Sequence, residues 1–580
     1  MTVHTPATPT AAVTSPPVPR GRRPARPEGQ WALGERAPLN ANEEWKAREG
    51  GLAVRDRVLT TYARDGFASI PPEDLHGRLR WWGLYTQRRP GVDGGRTASL
   101  EPHELDDEYF MLRVRIDGGA VDLAQLRVLA DIGTRYARGT ADVTDRQNIQ
   151  YHWIRIEDVP AIWDALEGVG LMSTQACGDT ARVVLGSPVA GVAADELLDG
   201  TPAVREIVRR FVGDPDLANL PRKFKTAVTG SPHQDVAHEV HDVAFVGVDH
   251  PEHGPGFDVW VGGGLSTSPM LAQRLGAWVP LEDVTEVWFA VVRTFRDYGY
   301  RRLRSRARLK YLVADWGPER FREVIETEYL GRPLLDGPPP PPPPRGRRDH
   351  VGVHPQRRGG FYVGAAPVVG RIGAPALHAL ADAVERAGSD RVRFTPEQKL
   401  VVLDVEGDRV EQLVDDLDAA GLSARASTFR RGTMACTGIE YCKLAIVETK
   451  GLAAHLVEEL ERRFADVPEL VAPDGPALSI HVNGCPNSCA RSQIADIGLK
   501  GIQMPDPVDP SGPTVEGFQL HLGGGLGLAA GFGRKPRGLR VTSADLPDYV
   551  ERIVRRWLAG REDGEAFASW VLRAQEEDLR

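Results

Sequence analysis

Hydrophobic and polar residues alternate along YFMLRVRI (109–116), the pattern of a strand with one buried face. The next stretch, DLAQLRVLADIGTRYARG (122–139), changes period and places Leu123, Leu126, Ala130 and Gly133 on one helical stripe. Alternation returns in NIQYHWIRI (148–156). The same succession recurs later, with FYVGAAPVVG from Phe361, a helical APALHALADAVERAG (374–388) and a strand-like KLVVLDV (399–405). Two mixed strand–helix units predict α+β layers related by a pseudo-two-fold axis and packed into one body.

The halves also match residue by residue. GLYTQRRPG from Gly83 pairs with GVHPQRRGG from Gly352, and FMLRVRIDGG from Phe110 with FYVGAAPVVG. LRVLAD from Leu126 lies over LHALAD from Leu377, and DVTDRQNIQ (142–150) over RFTPEQKLV (393–401). STQACGD around Cys177 parallels GTMACTG around Cys436, and GFDVWVGGGL from Gly256 matches GFQLHLGGGL from Gly517. The order is kept throughout, at offsets between 251 (Phe110 to Phe361) and 269 (Gly83 to Gly352). An internal duplication is the expectation, with an active site where the halves meet. Between them, Pro338 to Pro344 are consecutive prolines, which form neither helix nor sheet interior. They predict an exposed, semi-rigid connector; a ligand for a proline-binding partner is the alternative.

Composition narrows the class. With 580 residues, 41% hydrophobic and 26% charged, the chain should hold several soluble domains. Its net charge of -9 argues against a general nucleic-acid binder, so any anionic ligand needs a local cationic site. No apolar run approaches the ~18 residues of a membrane span. The Pro-, Thr- and Ala-rich N-terminus lacks the apolar centre of a secretory signal and reads as a disordered tail, which points to the cytoplasm.

Four of the five cysteines fall in two short pairs, Cys436 with Cys442 and Cys485 with Cys489. In a reducing compartment such pairs are more often metal ligands than disulfides. Structural zinc favours closer pairs, of the C-x2-4-C type, whereas the five-residue gap here suits a larger inorganic cluster such as a 4Fe–4S cubane. Zinc and disulfides remain alternatives on spacing alone.

ACTGIEYCKLAI followed by NGCPNSCARSQIADIGLKG resembles the signature of the sulfite and assimilatory nitrite reductase family, from about residue 80 to the C-terminus. The resemblance implies a 4Fe–4S cluster on Cys436, Cys442, Cys485 and Cys489, with the Cys489 sulfur also the axial ligand of siroheme iron. It implies internally duplicated ferredoxin-like half-domains plus α+β domains that bind siroheme and the cluster. The expected organisation is a disordered tail (1–40), a first half-domain with its N-terminal extension (41–160) and a first siroheme-binding domain (161–330). A Pro-rich linker (331–350), a second half-domain (351–420) and a 4Fe–4S and siroheme-binding domain (421–580) follow.

Siroheme carries eight carboxylates and the substrate is itself an anion, so the resemblance also assigns cations. Arg113, Arg182, Lys223 and Lys225 would surround the substrate. Arg146, with Thr144, Gln150 and His152 on one strand, would contact the macrocycle, and Asn487 would lie close to it. Arginine offers a planar fork of donors to oxyanions, and a desolvated lysine can also donate protons. The basic run YRRLRSRARLKYL (300–312) would be a strand meeting siroheme carboxylates, a solvated face or a docking patch.

The resemblance implies a six-electron reduction of sulfite to sulfide, or of nitrite to ammonia. Lys225 favours sulfite, because ferredoxin-nitrite reductases typically carry asparagine there. Neither VGGGLST nor LGGGLGL fits G-x-G-x-x-G, so electrons would come from another protein, ferredoxin, to a monomeric enzyme. Cys177 aligns with Cys436 and reads as a buried relic of a second cluster site; a reactive thiol close to Tyr85 is the sharper reading.

Overall fold

The computed structural model describes residues 40–343, 349–473, 475–527 and 530–580. Apart from Asn40, the expected tail lies outside the described residues, as does Pro344.

Four sheets carry the fold. The first is antiparallel and runs β1 (Leu84–Arg88), β2 (Asp106–Arg113), β5 (Ile149–Ile154) and β4 (Asp142–Val143). Its counterpart runs β12 (Gly352–Pro355), β13 (Phe361–Ala365), β15 (Leu400–Val405) and β14 (Arg391–Phe394), then takes β3 (Ala120–Asp122) from the first half. The third sheet holds β6 (Ala181–Gly186), β7 (Phe224–Thr229), β8 (Val243–His250), β9 (Gly254–Val261), β10 (Gln273–Val279) and β11 (Leu335–Asp336). The fourth holds β16 (Thr433–Ala435), β17 (Ile480–Asn483), β18 (Ile497–Met504), β19 (Val515–Leu522) and β20 (Arg540–Thr542). In both, three parallel strands are followed by antiparallel ones.

Helix α1 (Leu123–Tyr136) buries Leu126, Leu129, Ala130, Ile132 and Gly133, with Leu123 half-buried at the rim of the expected stripe. Asp122 caps it by accepting from the Gln125 amide. Further helices include α2 (Thr201–Phe211), α3 (Ala374–Arg386) and α4 (Lys450–Arg463). A Cβ on Gly133 would sit 3.0 Å from the Cβ of Ala374, so the glycine allows α1 to pack closely on α3. Leu126 and Leu129 of one half and Leu377 and Leu380 of the other thereby share one core.

Strand register makes the duplication exact at the level of single bonds. Arg393 of β14 pairs with Ala120 of β3, and 251 residues away in each direction Asp142 bridges Arg371. Each half thus lends a segment to the other's sheet. The repeated QRR motif has a physical reason as well. Gln87 Oε1 accepts from the amide of Trp153 (φ 65°), and Gln356 Oε1 from that of Asp404 (φ 58°), at 3.0 and 3.1 Å. Each glutamine steadies the same left-handed break in a strand.

The register also corrects one expectation. Val184 pairs with Thr226 and Thr226 with Val243, as Thr433 pairs with Ile480 and Ile480 with Ile497. Ser187, which follows β6, is therefore the counterpart of Cys436, which follows β16. Cys177 precedes β6 and has no such relation. The bonds Leu197 N→Gly230 O and Ile446 N→Gly484 O, 3.0 and 2.8 Å, extend the match and place Ala193 opposite Cys442, Ser231 opposite Cys485 and Asp235 opposite Cys489. In the first half this place is packed solid. Val189, Val192, Ala193, Tyr362, Val401 and Leu403 form an apolar cluster, and Asp235 accepts from Ser187 (2.7 Å) and Thr229 (2.9 Å) and pairs with His350 (2.9 Å).

The stretch read as linker contains β11, which pairs with β10, before the prolines begin. The described prolines form neither helix nor strand; Pro339, Pro341 and Pro342 are exposed, but Pro343 is buried and Pro341 O accepts from Gln234 Nε2 at 2.8 Å.

Candidate active site

The cysteine pairs stand where two neighbouring parallel strands end. Cys436 follows β16, its amide bonded to Val482 O at 3.0 Å, and Cys485 lies two residues beyond β17. Gln398 (φ 57°) holds the residue before Cys436 from both sides, with Nε2 donating to Ala435 O at 2.9 Å and Oε1 accepting from Ala435 N at 3.2 Å. The Gly484 amide donates to the Cys436 sulfur at 3.2 Å. Gly438 (φ 71°) turns the chain towards Cys442, where a Cβ would fall 2.2 Å from Thr449 Oγ1. The Cys485–Cys489 loop is folded back by Asn483, whose Oδ1 accepts from the Ala490 amide at 2.7 Å. Arg88, buried, secures the Cys442 loop through Ala445 O (3.2 Å), and Lys443 reaches Thr86 and Asp106.

All four thiols line one cavity of about 570 Å³, and Cys489 alone of them also lines an adjoining cavity of about 360 Å³. Burial and the neighbouring thiols push Cys436 up to about 12 and raise Cys442 and Cys485. Such thiols stay protonated until a metal displaces the protons. Among the described residues no three His, Cys, Asp or Glu side chains gather around a single-ion position.

Cations from both sheets of the first half enter the same cleft. Arg113, at the end of β2, donates to Asn148 Oδ1 (3.0 Å) and Gln150 Oε1 (2.5 Å), leaving Nε without a partner. Arg182, on β6, donates to Gly178 O at 2.9 Å; burial opposes its charge, but Tyr85, Cys177 and Asp179 hold its pKa above the usual arginine value. Lys223 precedes β7 and Lys225 lies on it, two residues apart and so on one side of the extended chain. Burial and neighbouring cations lower Lys225 to about 8 and Lys223 well below the ordinary lysine value. Arg146 donates to His241 Nε2 at 2.5 Å while His241 Nδ1 meets Ala237 O at 2.8 Å, which fixes a neutral tautomer.

Every site residue expected from the sequence lies in this cleft. Thr144, Gln150 and His152 line the larger cavity, Arg146 and Lys225 the smaller, and Arg113, Arg182, Lys223, Asn487 and Cys489 both. Thr144 and Arg146, however, occupy the turn between β4 and β5 rather than the strand that carries Gln150 and His152. His152 stacks on Tyr441 at 3.8 Å, with its Nε2 3.6 Å from Asp142 Oδ2.

The run 300–312 is not a strand. It makes a short turn, Arg304–Arg306, and then enters the helix Leu309–Trp316. Arg304 and Arg308 line the cleft, paired with buried Asp179 (2.7 Å) and Asp242 (2.9 Å). Arg222, Arg80 and Lys450 also line it and were not singled out, although Arg222 lies within the PRKFK motif. Cys177 and Tyr85 line the larger cavity too.

Fold and site together define a duplicated α+β protein with one cation-rich, thiol-lined cleft between its halves. Residues 177–334 and 426–580 match the nitrite and sulphite reductase 4Fe-4S domain, and residues 103–169 and 354–420 the nitrite/sulfite reductase ferredoxin-like half domain. The chain belongs to this family. It is 60% identical to a sulfite reductase [ferredoxin] of Mycobacterium tuberculosis, covering 96% of this chain and 99% of that one. It is 34% identical to an assimilatory ferredoxin-dependent nitrite reductase of Haloferax mediterranei, covering 91% of each. The structure of the Mycobacterium tuberculosis NirA protein superposes with a TM-score of 0.92 at 58% identity, covering 96% of this chain and all of that one. Among the described residues no helix is long and apolar enough to cross a membrane.

Proposed function

We propose that the chain is a ferredoxin-dependent sulfite reductase, converting sulfite to sulfide with six electrons from a ferredoxin. The observation that carries this reading is the half-buried pair Lys223 and Lys225, set with Arg113, Arg146 and Arg182 in the cleft that Cys489 lines. The residues present fit the family's cofactors. Arg113 Nε and Asn148 Nδ2 are buried without hydrogen-bond partners along the cleft, where a carboxylate-rich macrocycle would satisfy donors. Cys436, Cys442, Cys485 and Cys489 would hold a 4Fe–4S cluster, and Cys489 would also hold the siroheme iron. Thr144, Arg146, Gln150, His152 and Asn487 would flank the siroheme. Once bound, this pair stores and transfers the electrons.

The chain's own side chains bind the anion and handle protons. Arg113 and Arg182 remain charged and present forked donors to sulfite oxygens. Lys225, at about 8, holds a proton at neutral pH and releases it readily from Nζ to an oxygen leaving as water. A dianion beside Lys223 favours its charged form, so substrate binding recruits a proton to that Nζ. The similarity to chains named sulfite reductase [ferredoxin] supports the donor assignment. The test is anaerobic oxidation of a reduced dye by the purified protein, with sulfite and nitrite side by side. Higher kcat/KM for sulfite with sulfide as product supports the reading; a strong preference for nitrite, or protein purified without a haem spectrum, overturns it.

A further inference from the structure

The duplication leaves a second cavity of about 580 Å³ on the seam between the halves, away from the thiol-lined cleft. Its walls combine β3 and α2 of the first half with β14 of the second. Register and helix starts give each wall residue a counterpart near the cysteines: Arg393 stands for Asp142, Ala120 for Arg371 and Thr201 for Lys450. Around the cysteines, those counterparts neutralise one another. Asp142 lies 3.3 Å from Arg371 and 3.4 Å from Lys450, whose ammonium also donates to Val369 O at 2.7 Å.

In the first half the balance is gone. Two long cations have become alanine and threonine, which opens the space, and the carboxylate has become a guanidinium. Arg393 is only 7% exposed, and its Nη1 alone is used, on the carbonyls of Ser187, Pro188 and Ala190. Arg391 and Arg205 repel it, and among the described residues Arg205 has no ion pair. Asp199 and Glu196 attract it without pairing directly; they accept from the Thr201 amide (2.8 Å) and the Gly191 amide (2.7 Å). The other carboxylates at hand are engaged elsewhere: Asp117 with Arg115 at 2.7 Å, Asp122 in capping α1 and Asp404 with Arg391 at 2.7 Å. Val121, Val204, Val228 and Val392 supply an apolar floor. A buried guanidinium in such a place is costly without an anion.

We propose that this cavity is an anion-binding site for a small organic molecule whose carboxylate or phosphoryl group meets Arg393, Arg205 and Arg391 while its body rests on the valines. Because its walls come from both halves, such a ligand ties them together and stabilises the fold by mass action.

The test uses purified, cofactor-loaded enzyme at low ionic strength, titrated calorimetrically with pyrophosphate and separately with citrate. One equivalent of at least one probe binds and raises Tm. Arg205→Ala and Arg391→Ala each weaken it about tenfold, while the visible spectrum and dye-linked sulfite reduction are unchanged. Pyrophosphate alone binding assigns a phosphoryl ligand, and citrate alone a carboxylate. Arg393→Ala is not relied upon, since that side chain pins three carbonyls. No binding by either probe, or binding that sulfite displaces and the two variants leave intact, overturns the proposal.

Discussion

Gln398 and Ala435 exchange two hydrogen bonds, side-chain amide to backbone, immediately before Cys436, and Gln147 and Gly186 make the same exchange, at 3.0 Å in each direction, before Ser187. Both glutamines have left-handed backbones, φ 57° and 56°. The duplicated fold thus contains one clamp twice, with a thiol behind it in one case and a hydroxyl in the other.

Removing either clamp leaves buried backbone groups unsatisfied, at about 2 kcal/mol. Gln398→Ala and Gln147→Ala should therefore lower stability alike in denaturant titrations. Only Gln398→Ala should also reduce iron and sulfide content per chain, because only its strand end carries a cluster cysteine.

Cys489→Ser should abolish the haem absorption, since this is the thiol that lines both cavities. Cys177→Ser should retain haem and cluster spectra, because Cys177 is not the counterpart of any cluster cysteine. Visible spectroscopy of the two purified variants checks both.

Lys225→Asn removes a cation from the cleft and should cut kcat/KM for sulfite about tenfold relative to nitrite, as loss of a charged hydrogen bond is worth about 1.5–3 kcal/mol. Activity should also fall above about pH 8 as Lys225 loses its proton. Lys225→Arg should move that alkaline limb upward in the pH profile of kcat/KM. For stability the sign is the reverse. The folded pKa is below that of the unfolded chain, so burying Lys225 destabilises fully below about pH 8, and the penalty fades as pH rises towards the ordinary lysine value.

Asp235 is held below the usual carboxylate range, opposed by burial and favoured by His350, Ser187 and Thr229. Its contribution to stability is present above the unfolded carboxylate pKa and lost as pH falls through the folded one. Asp235→Ala should cost about 3 kcal/mol by urea unfolding, through the loss of a buried charged network, and leave cofactor content unchanged.

Much of this protein was legible in one dimension. Period-two and helical stripes marked the strands and α1 and α3, because a single buried face imposes its spacing locally. Repeated motifs disclosed the duplication, and paired thiols the four cysteines that line one cavity, since both are counted along the chain. The family resemblance brought Arg113, Arg182, Lys223 and Lys225 to the cleft. What needed the tertiary structure was correspondence across strands. Sequence likeness set Cys177 over Cys436, but hydrogen-bond register, which depends on pairing between distant segments, sets Ser187 there. The basic run read as a strand from its alternation, yet Arg304 and Arg308 find their carboxylates, Asp179 and Asp242, only from a turn and a helix start. Arg393 opposite Ala120 and Asp142 opposite Arg371 are unremarkable pairs of letters; only the seam between the halves makes the second an ion pair and sets the first, without a direct ion pair among the described residues, beside a cavity.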